Sequence, residues 1–292
     1  MCTFPVQFHS MKFYASLNGI SFIWRNMADS TSATGRIFAL LRALSRGERQ
    51  GMRLKDLAAA VDLPRPTTHR LLHGLMAEGM VEHDPRTKHY RLGLELFVLA
   101  AKAGSPLNLR DIGRPALLRL TAALGETVFL MVRNGFDAVC VDRSAGPLPI
   151  RTFTGDVGGT VMLGVGQAAM AILAFLPERE QDEVIRYNLP RMRALSAFDE
   201  GFLRAEIARV RDLGYADGAA GLIPGMAGLG VPILGRDGDA VAALSVGSTT
   251  DRMTPERNKV IADLLKREAA EIGARLNPFD PALRRPGAAI MG

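Results

Sequence analysis

Two prolines, Pro64 and Pro66, stand between two short segments of helical period and leave that stretch little choice of structure. Leu54, Leu57, Ala58 and Val61 recur at i, i+3, i+4 and i+7, and Asp62-Leu63-Pro64 then breaks the pattern. A proline is tolerated in the first turn of a helix, where its missing N–H had no partner to lose. The next helix therefore begins at the prolines, with Leu71, Leu72, Leu75 and Met76 as its buried stripe and Glu78-Gly79 as its stop. Two short helices across a tight turn is helix-turn-helix spacing. An earlier helix runs from Ser32 through Ile37, Leu40, Leu41 and Leu44 to Arg46-Gly47. After the pair, Met80-Val81-Glu82-His83, the turn Asp84 to Lys88, and His89-Tyr90-Arg91-Leu92 predict a strand, a turn and a returning strand, which is the wing of a winged helix-turn-helix.

Charge follows the same division. Residues 27–105 carry twelve basic and eight acidic side chains, residues 1–26 carry two basic and no acidic ones, and residues 106–292 carry 22 of each. The positive field belongs to the first third, as nucleic-acid binding requires. With its leucines turned inward, the third helix is expected to present Arg65, Thr67, Thr68, His69, Arg70 and His73 outward. Such side chains read base edges and grip phosphates of double-stranded DNA. From the wing, Arg86, Lys88 and Arg91 would meet the backbone or minor groove.

The expected domains are a winged helix-turn-helix at 27–92, a linker helix at 93–105, a second domain at 106–277 and a C-terminal tail at 278–292. Residues 1–26, with aromatics at no regular period, read as a disordered tail or a misassigned start. Leu94, Leu96, Phe97, Leu99 and Ala100 make the linker too apolar for a small domain to bury alone, so it is expected to pack on a partner. In the second domain a helix to Leu124 precedes a strand at Thr127 to Arg133. Asn134-Gly135 signals a hairpin into Ala138-Val139-Cys140-Val141. A third strand is expected near Pro149 to Phe153. A glycine-rich loop, a helix from Gln167 to Phe175, two more helices between Glu178 and Leu213, strands at Leu229 to Leu234 and Val241 to Val246, and a helix capped by Thr254 complete it. The fold class is α+β, with one central antiparallel sheet.

All five histidines fall in the first 89 residues, so the second domain has no imidazole for acid-base catalysis or a nucleophile's base. An enzyme is not expected, and neither is a cofactor or a metal. His69 and His73 stand four apart on one helix, but Arg70 occupies the place where a zinc protease needs glutamate. Gly164 to Ala169 has the glycine pattern of a dinucleotide loop without the βαβ unit such a loop needs, so its small residues read as close packing of a helix on a sheet. Cys140, between Val139 and Val141, reads as a buried thiol, and two cysteines are too few for a disulfide framework. No apolar run reaches the length of a membrane span, and the chain is expected to be cytoplasmic.

The run Leu63-Pro64-Arg65-Pro66-Thr67-Thr68-His69-Arg70-Leu71-Leu72, followed by Glu78-Gly79-Met80-Val81 and Tyr90-Arg91-Leu92-Gly93, closely resembles the signature of the IclR family of bacterial transcriptional regulators. Pro115, Gly125-Glu126-Thr127-Val128, Gly214-Tyr215, Gly230-Val231-Pro232-Ile233 and Ala242-Ala243-Leu244-Ser245-Val246 resemble that family's effector domain in order. The resemblance implies a GAF-like sensor domain that takes a small effector, commonly an organic or aromatic acid, and a homodimer or homotetramer on a palindromic operator. It also implies polar side chains at places that here hold Gly218, Gly228 and Gly247, while Ser245 remains. The loop Gly155, Asp156, Val157, Gly158, Gly159 and Thr160 is expected to offer backbone N–H groups to an anion. Met131, Met162, Leu163, Leu222, Ile223 and Met226 are expected as apolar walls. The alternative is a small-molecule-binding protein or enzyme whose winged domain serves protein contacts.

Overall fold

The computed structural model describes residues 32–47, 50–102, 107–148, 156–192, 198–218 and 223–276. The chain divides into two compact units between Gly104 and Ser105. The stretches 1–26 and 278–292, and the strand expected near Pro149 to Phe153, lie outside the described residues.

In the first unit, α1 (Ala33–Arg46) starts on Ser32, whose hydroxyl accepts from Gly35 N–H at 2.9 Å. Next come the two-residue strand β1 (Met52–Arg53), α2 (Leu54–Val61) and α3 (Arg65–Ala77). Asp62, with φ at 55°, turns the chain between α2 and α3, and Pro66 sits in the first turn of α3. Leu40 and Leu44 of α1, Leu57 of α2, and Leu72 and Leu75 of α3 close a small core with Val81 and Tyr90. The wing strands β2 (Val81–Asp84) and β3 (His89–Leu92) pair antiparallel, and β1 adds to the other edge of β3, giving the order β1-β3-β2. Strand β1 was not foreseen. It is admitted by Gly51, where a side chain would stand 2.3 Å from the Tyr90 carbonyl oxygen. The unit ends in α4 (Glu95–Lys102), where Phe97 and Leu99, with Leu94 just before the helix, lie exposed.

The second unit is a six-stranded antiparallel sheet in the order β6-β5-β4-β9-β8-β7. Its elements are α5 (Leu107–Leu124), β4 (Thr127–Asn134), β5 (Asp137–Ser144), β6 (Thr160–Met162), α6 (Gln167–Ala174), α7 (Glu178–Met192), α8 (Glu200–Leu213), β7 (Ala216–Gly218), β8 (Met226–Leu234), β9 (Ala240–Thr249), a 3-10 turn (Thr250–Arg252) and α9 (Pro255–Arg275). The expected hairpin at Asn134-Gly135 joins β4 to β5, and Thr254 caps α9 by accepting from Arg257 N–H. The short edge strands β6 and β7 were not foreseen.

Alternation along the central strands assigns the two faces of the sheet. Val128 and Leu130 of β4, Leu229, Val231 and Ile233 of β8, and Leu244 and Val246 of β9 pack with α5 and α9 into the main core. The alternate residues, among them Phe129, Met131, Gly228, Gly230, Ala243 and Ser245, turn to the other face. There α6 lies over β8 and β9. At Gly230 the approach is so close that a side chain would meet the Gln167 carbonyl at 2.5 Å and the Ala168 nitrogen at 2.7 Å. The close packing expected of the small residues around Gly164 is thus what they do, and they follow an antiparallel strand rather than a parallel one.

Candidate functional site: a basic helix face and an apolar cavity

On α3, Arg65, His69, Arg70 and His73 are exposed and Thr67 is half-buried. Thr68 is not on that face. It is fully buried, because it falls four residues before Leu72 and seven before Leu75 on the inner stripe, and its hydroxyl donates to the Pro64 carbonyl at 3.1 Å. The wing turn is built around Asp84, whose carboxylate accepts from the Thr87 hydroxyl at 2.9 Å and the Arg86 N–H at 2.8 Å. The Thr87 hydroxyl, then the Arg86 N–H, hold this carboxyl below the usual carboxylate range. Arg86 and Lys88 are exposed at the tip. Arg91 lies back on β3 opposite Glu82 and forms a 2.8 Å ion pair with it, so its charge is partly spent within the wing.

The second unit holds a cavity of about 110 Å³ between the α6 face of the sheet and the loop before β8. One water needs about 10–15 Å³ on the same scale, so the space suits a small organic molecule. Phe129, Met131, Val161, Val165, Ile223 and Met226 supply apolar wall, and among the described residues no ionisable side chain lines it. Among the described residues its polar features are the start of α6, the Gln167 amide and Ser245. No side chain caps α6; the N-cap position is Gly166 with φ at 77°, and Gly166, Gln167, Ala168 and Ala169 border the cavity. The first N–H groups of a helix lack partners inside it and carry partial positive charge, so this end suits an anion. The Gln167 amide donates to the Gly218 carbonyl at 2.9 Å, tying α6 to β7 at the rim.

Of the expected effector residues, Met131, Ile223, Met226 and Ser245 line this cavity, while Gly155 and Leu222 lie outside the described residues. The described part of the glycine loop, Asp156 to Thr160, does not border it. Gly158 N–H donates to the Cys140 carbonyl at 2.7 Å, Gly159 N–H donates to Asp156 at 2.9 Å, and Asp156 pairs with Arg143, so this loop extends the edge of the sheet instead of offering N–H groups to a ligand. Val157 is exposed to solvent. Met162 and Leu163 are core residues, and alternation along β6 turns Val161 to the cavity in their place. Phe129, Val161, Val165, Gly166, Gln167, Ala168 and Ala169 went unforeseen. The signal for several of them was the segment starting at Gly164, set aside with the dinucleotide pattern although an uncapped glycine helix start is itself an anion-binding cue.

Cys140 is fully buried, and burial pushes its thiol up to about 11, the behaviour of a core residue rather than a nucleophile. Among the described residues, no group of three or more His, Cys, Asp and Glu side chains is placed to hold a metal ion. No helix among them is long and apolar enough to cross a membrane.

Known proteins align with both units. Residues 33–85 match the family model for the IclR helix-turn-helix domain, and residues 101–274 match that for the bacterial transcriptional regulator IclR C-terminal domain. The HTH-type transcriptional regulator BhcR of Paracoccus denitrificans is 28% identical over 258 residues, which cover 86% of this chain and 92% of BhcR. The IclR structure from Thermotoga maritima is 25% identical with a TM-score of 0.64, covering 83% of this chain and 98% of that one. An IclR homologue from Microbacterium hydrocarbonoxydans, solved in complex with 4-hydroxybenzoate, has the same fold at 22% identity and a TM-score of 0.70, covering 87% of this chain and 99% of that one.

Proposed function

The chain belongs to the IclR family of bacterial transcriptional regulators and is a DNA-binding regulator, and from that premise we propose that a small organic acid held in the second unit's cavity modulates its operator binding. The observation that carries this reading is that the uncapped start of α6 and Ser245 line one cavity whose other described walls are largely apolar. A carboxylate at that end finds N–H donors and the helix dipole, while the body of the ligand buries against Phe129, Met131, Ile223 and Met226. The 4-hydroxybenzoate of the Microbacterium homologue supports an aromatic acid as the class. The effector acts by binding the DNA-competent and incompetent arrangements with different affinity.

On the DNA side, α3 enters the major groove with Arg65, Thr67, His69, Arg70 and His73 toward the bases and phosphates, and Arg86 and Lys88 of the wing reach the backbone or minor groove. Arg91 contributes less, being paired with Glu82. The exposed Leu94 at the start of α4, Phe97 and Leu99 on it and Phe38 of α1 offer an apolar contact for a second copy, consistent with a homodimer or homotetramer on a palindromic operator. The protein works in the cytoplasm, without catalysis.

The test is a mobility-shift titration of the full chain on the DNA upstream of its own gene, at two salt concentrations, with and without a panel of aromatic and aliphatic acids. A specific, salt-sensitive shift altered by one class of acid is expected; a specific shift that no acid alters, in a protein that no acid stabilises thermally, counts against the effector. In the same assay Arg70→Ala is expected to weaken operator binding about 5- to 150-fold, the range of about 1–3 kcal/mol for one base-reading arginine. Unchanged affinity would remove Arg70 from the contacts.

A further inference from the structure

Glycine suits the end of a helix and weakens its interior, because it gives up the most backbone freedom on becoming helical. Gly74 stands exposed in the third turn of α3, three residues before the helix ends at Ala77. Other glycines of this unit have a local reason: a side chain at Gly51 or Gly93 would strike backbone, and Gly79 has a positive φ. Gly74 has neither. Its φ is not positive, and a side-chain carbon there would meet no described atom within 4 Å. The fold therefore does not ask for glycine at this position, and α3 is less stable for having it.

Its place on the helix is the second observation. Thr68, Leu72 and Leu75 are buried, and the 3.6-residue period puts Arg70, His73, Gly74 and Ala77, all exposed, on the side turned furthest from them. Gly74 lies one turn beyond Arg70 on that side. The outermost line of α3 thus begins with a long guanidinium side chain and continues with bare backbone and a methyl group. A helix with its side chains measures about 10–12 Å across, close to the width of about 12 Å of the DNA major groove. How deep such a helix sits is decided by what projects from its outermost line.

We propose that Gly74 is a positioning residue for operator recognition: the backbone of α3 meets the DNA at Gly74, and that depth brings the Arg70 guanidinium within bidentate reach of a base edge. This rests on the reading of α3 as the helix that enters the major groove. A side chain at position 74 holds the second half of the helix off the groove and draws Arg70 back with it. Non-specific binding runs on phosphate charge and needs no such depth. The glycine therefore serves discrimination between DNA sequences, at the expense of helix stability.

The experiment compares wild type, Gly74→Ala, Gly74→Leu, Gly74→Lys and Arg70→Ala, each as the full chain, in mobility shifts on the DNA upstream of its own gene and on a random duplex of equal length. Alanine, leucine and lysine all favour helix over glycine, so the three Gly74 variants are expected to fold. Gly74→Ala is expected to slow amide exchange across α3 by about three- to fivefold and yet to weaken binding to the upstream DNA. Gly74→Leu is expected to weaken that binding about tenfold or more, within the range for loss of one base-reading arginine, and to leave the random duplex unchanged. Gly74→Lys adds a positive charge, so it should tighten the random duplex while weakening the upstream one. Placed on Arg70→Ala, Gly74→Leu is expected to cost less than about threefold, because the contact it disturbs is already gone. If Gly74→Leu and Gly74→Lys bind the upstream DNA as tightly as wild type while Arg70→Ala binds it weakly, the proposal is wrong and the reading of α3 stands. Faster exchange across α3 in Gly74→Ala would overturn it as well, since the fold itself then needs the glycine. If Arg70→Ala binds as wild type does, the reading of α3 falls and takes the proposal with it.

Discussion

Gly93→Ala is expected to abolish operator binding by unfolding the first unit while the sheet of the second keeps its structure. Gly93 links β3 to α4, and a side-chain carbon there would lie 2.0 Å from the carbonyl oxygen of Gly79 and 2.9 Å from the carbonyl carbon of Met80. These are backbone atoms, so no rotamer change relieves the overlap. The same glycine donates its N–H to the Met80 carbonyl at 2.8 Å, and Gly79, with φ at 67°, closes the end of α3. Pushing Gly93 away therefore separates the end of the wing from the recognition helix. Overpacking costs about 1–3 kcal/mol where side chains can yield, and more against backbone. A unit of this size is worth only about 4–10 kcal/mol in total. Hydrogen exchange read peptide by peptide is the measurement: protection should fall across α1, α2 and α3 and persist in β4, β8 and β9. Wild-type protection in α3 together with wild-type operator affinity would show that the junction tolerates the carbon.

Glu126→Ala is expected to destabilise the second unit by about 3 kcal/mol. Glu126 is 1% exposed, and one of its carboxylate oxygens accepts from both Arg252 and Arg257 at 2.8 Å. Arg257 also donates to the Leu124 and Arg252 carbonyls. One carboxylate thus joins the end of α5, the approach to β4, the 3-10 turn and the first turn of α9. Removing one partner of a buried pair typically costs about 3–5 kcal/mol, because the other charge stays behind unpaired. Here both guanidinium groups keep about a third of their surface in water, which puts the expected loss at the low end of that range. Glu126→Gln retains an acceptor oxygen without the charge and should lose about half as much. Urea unfolding is the check, with the midpoint falling and the slope unchanged. A midpoint for Glu126→Ala within error of wild type would mean that the clamp contributes orientation and no stability.

What local sequence determined about this protein was what a few consecutive residues can decide alone. The prolines at 64 and 66, the leucine period of α3, the Asn134-Gly135 hairpin and the Thr254 cap act through bonds and contacts between near neighbours, so their positions were readable. The absence of histidine beyond residue 89 and the localised positive charge likewise needed no coordinates. Thr68 shows how local reasoning slips: its chemistry suits DNA, but a 3.6-residue period places it with Leu72 in the core. Tertiary structure alone decided the short strands β1, β6 and β7, two or three residues each, which exist because β3, β5 and β8 present edges to pair with. It also decided the cavity. Phe129 and Ser245 face each other across β4 and β9, Gly218, Gly228 and Gly247 come from three strands, and the start of α6 arrives from elsewhere in the chain. A binding site of this kind is made by sheet register and by which face a helix covers, and both are settled by pairing between residues far apart in sequence.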